Sequence, residues 1–181
     1  MKNRLQEKYS KEIKPTLQKE LGVNVHQVPK VEKVVVNSGV GRAANDSKQL
    51  EAVLATLTTI TGQKPVTTAA RHSIAGFKLR EESKIGAKVT LRGDRMYHLL
   101  YRLISVALPR IRDFRGVSVK AFDKQGNYSV GVTEQQIFPE ISFEDASNSH
   151  GLQINIITSA RSPEESKRLL ELMGFPFRRI S

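Results

Sequence analysis

Residues Ile85–Ala107 read IGAKVTLRGDRMYHLLYRLISVA, and the period of their apolar positions changes partway along. Ile85, Ala87, Val89 and Leu91 alternate with Gly86, Lys88, Thr90 and Arg92. Side chains of a strand point to opposite faces in turn, so this is a half-buried strand with a cationic, hydroxyl-bearing outer face. From Met96 the spacing becomes helical: Met96, Leu99, Leu100, Leu103, Ile104 and Ala107 form one stripe, with Asp94 as the cap and Pro109 as the stop. A strand with one polar face that runs into an amphipathic helix predicts a sheet covered on one side and open on the other. The expected class is α+β: an antiparallel or mixed sheet with helices on one face.

The same reading extends both ways. Upstream, Leu5, Tyr9, Ile13, Leu17 and Leu21 recur every four residues and predict a helix over 2–21, which Pro15 should kink or break and Gly22 should end. Val31–Val36 reads as a strand, with Lys33 and Asn37 on the face of Val31 and Val35, and Ser38–Gly41 as a turn. Asn45 or Asp46 can cap a helix whose face is Leu50, Val53, Leu54, Leu57 and Ile60. Pro65–Thr68 is a short strand, and 70–83, which lacks any apolar period, reads as a long loop. Downstream, Val117–Phe122 and Tyr128–Val132 read as strands about a Gly126-Asn127 turn, and Leu152, Ile154 and Ile156 as the last strand. Ser162-Pro163-Glu164-Glu165 starts a helix through Leu169, Leu172 and Met173 to Gly174. No repeat or linker divides the 181 residues, so a single domain over 1–181 is expected, with 70–84 as an extended basic loop.

Composition narrows the function. The net charge is +11 and there is no cysteine, which excludes disulfide scaffolds, thiolate metal sites and cysteine nucleophiles. No apolar run is long enough to span a membrane and no secretory signal is visible, so a cytoplasmic protein without a membrane partner is expected. Residues 64–124 carry fourteen Lys and Arg against five Asp and Glu, whereas 125–181 carry five against seven. Charge concentrated in one third of the chain predicts a basic face for a polyanion.

Two enzyme readings fail on their residues. Gly39-Val40-Gly41-Arg42-Ala43-Ala44 matches the dinucleotide pattern, but Gln63, Lys64 and Pro65 stand where the ribose-binding acid belongs. His26, His72, His98 and His150 are scattered, and Glu81-Glu82 lies among Lys78, Arg80 and Lys84. No catalytic constellation, metal site or cofactor is expected. The positive tract is the stronger signal. Arg71, His72, Lys78, Arg80 and Lys84 in the loop, with Lys88, Arg92 and Arg95 following, suit a phosphate backbone. Ser73, Gly76 and Phe77 are interleaved, and Phe77 either packs home or stacks on a base or sugar. Arg110, Arg112 and Arg115 around Asp113 read equally as an Arg–Asp network or an RNA contact. Three functions stand against one another: a ribosomal RNA-binding protein, a nucleic-acid module outside the ribosome, and a nucleotide-using enzyme on the Gly39 turn.

A series of blocks in fixed order decides among them: Gln27–Lys33, Asn37–Gly41, Gly62–Pro65, Ser73–Arg80, Ile85–Gly93, Leu108–Gly116, Gly126–Ser129 and Phe138–Ile141. Together they resemble the bacterial large-subunit ribosomal protein L-five family, which binds 5S rRNA. The resemblance spans nearly the whole chain and implies a non-enzymatic α+β protein of the central protuberance whose sheet face grips 5S rRNA. It implies contact of the long loop with peptidyl-site tRNA, further contact with large-subunit rRNA, and a bridge to the small-subunit protein S-thirteen. Carried onto this sequence, Asn37, Gln63 and Thr90 match the family's polar 5S rRNA contacts. Around them Lys33, Gly39, Gly41, Lys64, Lys88 and Arg92 complete the expected 5S rRNA site. Arg71, His72, Ser73, Gly76, Phe77, Lys78, Arg80 and Lys84 form the expected tRNA-approaching loop. This chain has Ser38 where the family usually has Met. It also reads Glu82-Ser83-Lys84 where the family's loop exit usually carries a Pro, which should loosen that exit.

Overall fold

The computed structural model describes residues 3–41, 47–141 and 150–178. The fold is α+β, as expected, with an open five-stranded sheet. The strands are β1 (Val31–Gly39), β2 (Val66–Ala69), β3 (Lys84–Leu91), β4 (Tyr128–Val132) and β5 (Leu152–Thr158), in the order β2-β3-β1-β5-β4. The helices are α1 (Arg4–Lys8), α2 (Lys14–Leu21), α3 (Ser47–Thr61), α4 (Gly93–Arg102) and α5 (Pro163–Met173). The chain divides into two compact units, one of Met1–Val34, Leu91–Val130 and Asn155–Ser181, the other of Val35–Thr90 and Gly131–Ile154.

In the first unit, residues 4–21 are helical throughout. Asn3 caps α1 through its side chain, which accepts from the Leu5 N–H at 2.8 Å. Pro15 does not break the rod. A π-helical turn, Tyr9–Ile13, joins α1 to α2, and the Lys14 N–H reaches back five residues to the Tyr9 carbonyl. A proline lacks the N–H of the regular register and its ring crowds the carbonyl four residues earlier. The wider turn absorbs both defects just before Pro15. Leu5, Ile13 and Leu17 are buried, and Gly22 ends the rod at φ 63°. The Tyr9 hydroxyl donates to the Pro29 carbonyl at 3.0 Å, and burial, helped by neighbouring Tyr97, pushes its pKa up to about 12.

The helix after β3 departs from expectation in two ways. Asp94 lies inside the first turn of α4 rather than at its cap, where it complements the helix dipole. Pro109 does not end the helical path, which continues through a π turn, Leu103–Ala107, and a 3-10 turn, Leu108–Arg110, before Ile111 turns extended. Val117–Phe122 is not a strand. Ser118 caps a 3-10 turn, Val119–Ala121, and the Tyr128 hydroxyl takes the Ser118 carbonyl at 2.7 Å. Phe122, Tyr128, Phe175 and Phe177 form an aromatic cluster with ring centroids 4.5–6.1 Å apart, and this cluster decides the path in place of a ladder. The Gly126-Asn127 turn forms as expected, with the Asp123 carboxylate accepting from the Gln125 and Asn127 N–H groups at 2.9 and 2.7 Å. In α5, Ser162 caps the Glu165 N–H and Glu165 accepts from the Arg161 N–H at 2.9 Å. Leu169, Leu170 and Met173 are its buried face, with Leu170 in the place expected of Leu172. Arg168 grips Glu20 of α2 with both arms, at 2.7 and 2.6 Å.

In the second unit, α3 buries Leu50, Val53, Leu57 and Ile60, and Gly62 follows at φ 64°. The proposed cap at Asn45 or Asp46 lies outside the described residues. β1 is longer than the sequence suggested: Ser38 and Gly39 belong to it. Val34, Val36 and Ser38 are buried, while Lys33, Val35 and Asn37 between them are half-buried. Val31, on the same side of the strand by alternation and in the first unit, is buried at the strand's entry.

Candidate nucleic-acid interface

The outer face of β3 follows from its period. Ala87, Val89 and Leu91 are buried, Lys88 is exposed and Thr90 half-buried. β2 pairs antiparallel with β3, placing Val66 opposite Lys88 and Thr68 opposite Gly86, with a register shift at Thr68/Ala69. Gln63 reaches this neighbourhood: its side-chain amide donates to the Thr90 carbonyl at 3.2 Å. Lys64 is exposed beside it. A Cβ placed on Gly86 would lie 2.7 Å from the Ser38 carbonyl of β1, so these two strands approach closely just beside Asn37. Ser38, deeply buried, donates to the Gly151 carbonyl at 2.9 Å.

Within this unit the structure therefore brings Asn37, Gln63, Lys64, Lys88 and Thr90 onto adjoining strands and the loop before β2. Gly39 ends β1, so the expected turn begins later than Ser38, and Gly41 opens a 3-10 turn. Neither has a positive φ, and among the described residues a Cβ on either would meet nothing within 4 Å. Lys33 and Arg92, the remaining residues of the expected site, fall in the other unit, half-buried on β1 and exposed just after β3. Sequence reading placed a strand at Pro65–Thr68, one residue from the observed Val66–Ala69, but did not single out Val66 or Thr68, which β2 sets opposite Lys88 and Gly86. It also missed Gln153, exposed on β5, and the Ser129–Asn155 hydrogen bond of 2.9 Å between β4 and β5. Their only signal was polar residues alternating with apolar ones.

The long loop is a hydrogen-bonded arm. Ala70 and Ser83 pair at its base, the Ala70 N–H donating to the Ser83 carbonyl at 2.9 Å, and the Glu82 N–H returns to the Ala70 carbonyl at 3.0 Å. Ile74 and Leu79 exchange N–H···O bonds of 2.9 and 3.1 Å around a 3-10 turn, Ala75–Phe77. Ser73 accepts the Glu81 N–H at 2.9 Å. Lys84, read as the end of the loop, is the first residue of β3 and pairs with Ala69. Backbone pairing leaves no side-chain period, which is why the sequence looked irregular here. Arg71, His72, Ser73, Gly76, Phe77, Lys78 and Arg80 are all exposed, and Phe77 is 79% so.

Of the two readings of Arg110, Arg112, Arg115 and Asp113, the Arg–Asp network does not form among the described residues; all four are exposed. No group of His, Asp and Glu among the described residues could hold a metal, and no described helix is long and apolar enough to cross a membrane.

An open sheet with a cationic arm between β2 and β3, and with amides, hydroxyls and lysines on its solvent side, defines a basic α+β protein with a polar strand surface. Two family models cover the chain: "Ribosomal protein L5" matches residues 24–80 and "ribosomal L5P family C-terminus" matches 84–177. "Large ribosomal subunit protein uL5" of Prochlorococcus marinus (strain MIT 9211) is 59% identical over 96% of this chain and 98% of its own length. Its counterpart in Anaeromyxobacter sp. (strain Fw109-5) is 56% identical over 98% and 99%, and that of Psychrobacter cryohalolentis 54% over 97% and 99%. The chain belongs to the ribosomal protein L5 family. It is a structural constituent of the large ribosomal subunit and not an enzyme.

Proposed function

We propose that this chain, acting as one ribosomal-protein domain, binds 5S rRNA in the central protuberance through the solvent face of β1 and β3. Asn37, Gln63 and Thr90 read the RNA, and Lys33, Lys64, Lys88 and Arg92 contact its phosphates. The 70–84 arm approaches the peptidyl-site tRNA, and the outer surface meets the small-subunit protein S-thirteen. The observation that carries the 5S rRNA reading is the Gln63–Thr90 contact beside Lys88, with no described atom within 4 Å of a Cβ at Gly39, where an RNA backbone can come close. Phosphate contacts position the protein, while amides and hydroxyls distinguish one RNA surface from another.

Single replacement of Asn37, Gln63 or Thr90 by Ala should weaken 5S rRNA binding by about 1–3 kcal/mol, the cost of an RNA group left unpaired. Filter binding against random RNA of equal length measures it. Unchanged affinity in all three folded variants would remove the assignment. Removing the arm between its paired base residues should spare 5S rRNA binding and weaken tRNA retention on assembled ribosomes. Loss of 5S rRNA binding on arm removal would show that the two surfaces have been divided wrongly.

A further inference from the structure

Phe77 is the most exposed large apolar side chain described, at 79%, and Ile74 beside it is 46% exposed. Its position is built. The 3-10 turn Ala75–Phe77 is closed by the Phe77 N–H on the Ile74 carbonyl at 3.2 Å and the Lys78 N–H on the Ala75 carbonyl at 3.0 Å. Lys78 adopts φ 51°, a left-handed backbone that a non-glycine residue takes only at a cost. The paired Ile74 and Leu79 hold this turn at the end of the arm. The fold thus spends backbone strain to hold an aromatic ring in water, among the exposed cations Arg71, Lys78 and Arg80.

We propose that Phe77 is a stacking plate for RNA: its ring lies flat on an unstacked nucleobase or on the open end of a base stack, while Arg71, Lys78 and Arg80 take the neighbouring phosphates. The inference rests on the reading of the arm as RNA-seeking. A protein groove would call for a broader apolar patch than one ring and one isoleucine. A lone aromatic ring flanked by cations is instead the composition of surfaces on which bases stack, since every base offers a π-face.

A photoactivatable benzophenone side chain at position 77, in the full chain assembled into large subunits with tRNA bound, tests the contact directly. A cross-link to a nucleobase is expected. A cross-link to a protein, or none, overturns the stacking. A cross-link to a base of large-subunit rRNA would uphold stacking and overturn the tRNA reading made above. Ribosomes carrying Phe77→Ala should release tRNA roughly 5- to 150-fold faster. The salt dependence should stay that of the parent, and Phe77→Trp, which retains a larger plate, should restore retention. Phe77→Leu keeps apolar bulk without a π-face, so parental retention in that variant overturns stacking in favour of a hydrophobic seat. Lys78→Gln with Arg80→Gln should instead flatten the salt dependence. If that double variant loses tRNA while Phe77→Ala does not, the tRNA reading stands and the stacking fails.

Discussion

Glycine identity has opposite meanings at two neighbouring positions. Gly86 is needed because a Cβ there would sit 2.7 Å from the Ser38 carbonyl and 2.9 Å from the Thr68 hydroxyl. Gly39 is not needed by the fold, since its φ is ordinary and no described atom lies within 4 Å. Gly86→Ala should therefore destabilise the protein by about 1–3 kcal/mol, the usual cost of forcing extra bulk into a packed site. Gly39→Ala should leave stability unchanged or raise it by up to about 1 kcal/mol, because it narrows the unfolded ensemble. It should nevertheless weaken 5S rRNA binding, since the methyl fills the space left for RNA. Urea melts and filter binding on both variants check the pair. Sequence pattern alone led to Gly39 and Gly41 as turn glycines and gave Gly86 only a place on the outer face. What separates them is the distance between strands, which no local pattern encodes.

At the level of elements, most strands and helices were legible because their apolar periods were long. The N-terminal helical stretch is legible too, and its four-residue repeat carries a finer signal. In an α-helix with 3.6 residues per turn, a four-residue repeat drifts by about 40° at each step. Leu5, Tyr9, Ile13 and Leu17 keep one face only if the helix is locally underwound, and the Tyr9–Ile13 π turn supplies that underwinding. Pro15 then sits where its missing N–H costs little. Pro15→Ala should change stability by less than about 1 kcal/mol, well below the roughly 3 kcal/mol that a proline costs in a regular helix interior. Equilibrium urea unfolding measures this.

The Val117–Phe122 segment shows the reverse failure. Its β-branched residues suggested a strand, but the aromatic cluster and the Tyr128–Ser118 bond hold it elsewhere. The turn that follows carries its own pH signature. Burial alone would raise the Asp123 pKa, yet hydrogen bonds from the Asn127 side chain and the Asn127 and Gln125 backbone bring it below the usual 3.8. A depressed carboxylate contributes stability above its unfolded pKa and loses it as pH falls through the folded value. The parent should therefore lose stability more steeply than Asp123→Asn between about pH 5 and pH 2, followed by thermal melts.

For the whole molecule, the concentration of positive charge in residues 64–124 is plain from the sequence, and the structure divides it: Arg71, Lys78 and Arg80 lie on the arm, Lys64, Lys84, Lys88 and Arg92 on or beside β2 and β3, and the other seven cations on α4 and the segments that follow it. Neutralising Lys33, Lys64, Lys88 and Arg92 together should lower the slope of log affinity for 5S rRNA against log salt by about 0.7–0.9 per lost phosphate contact. A quadruple variant with the parent's slope would place the contacts elsewhere. The Glu20–Arg168 clasp joins residues 148 positions apart, so α2 and α5 are fastened to each other. As the chain leaves the ribosome at about 5–20 residues per second, Glu20 emerges about 7–30 s before Arg168 does. Through that interval α2 has no Arg168 to grip, and a newborn copy of this protein holds it by other contacts until the chain has grown 148 residues further.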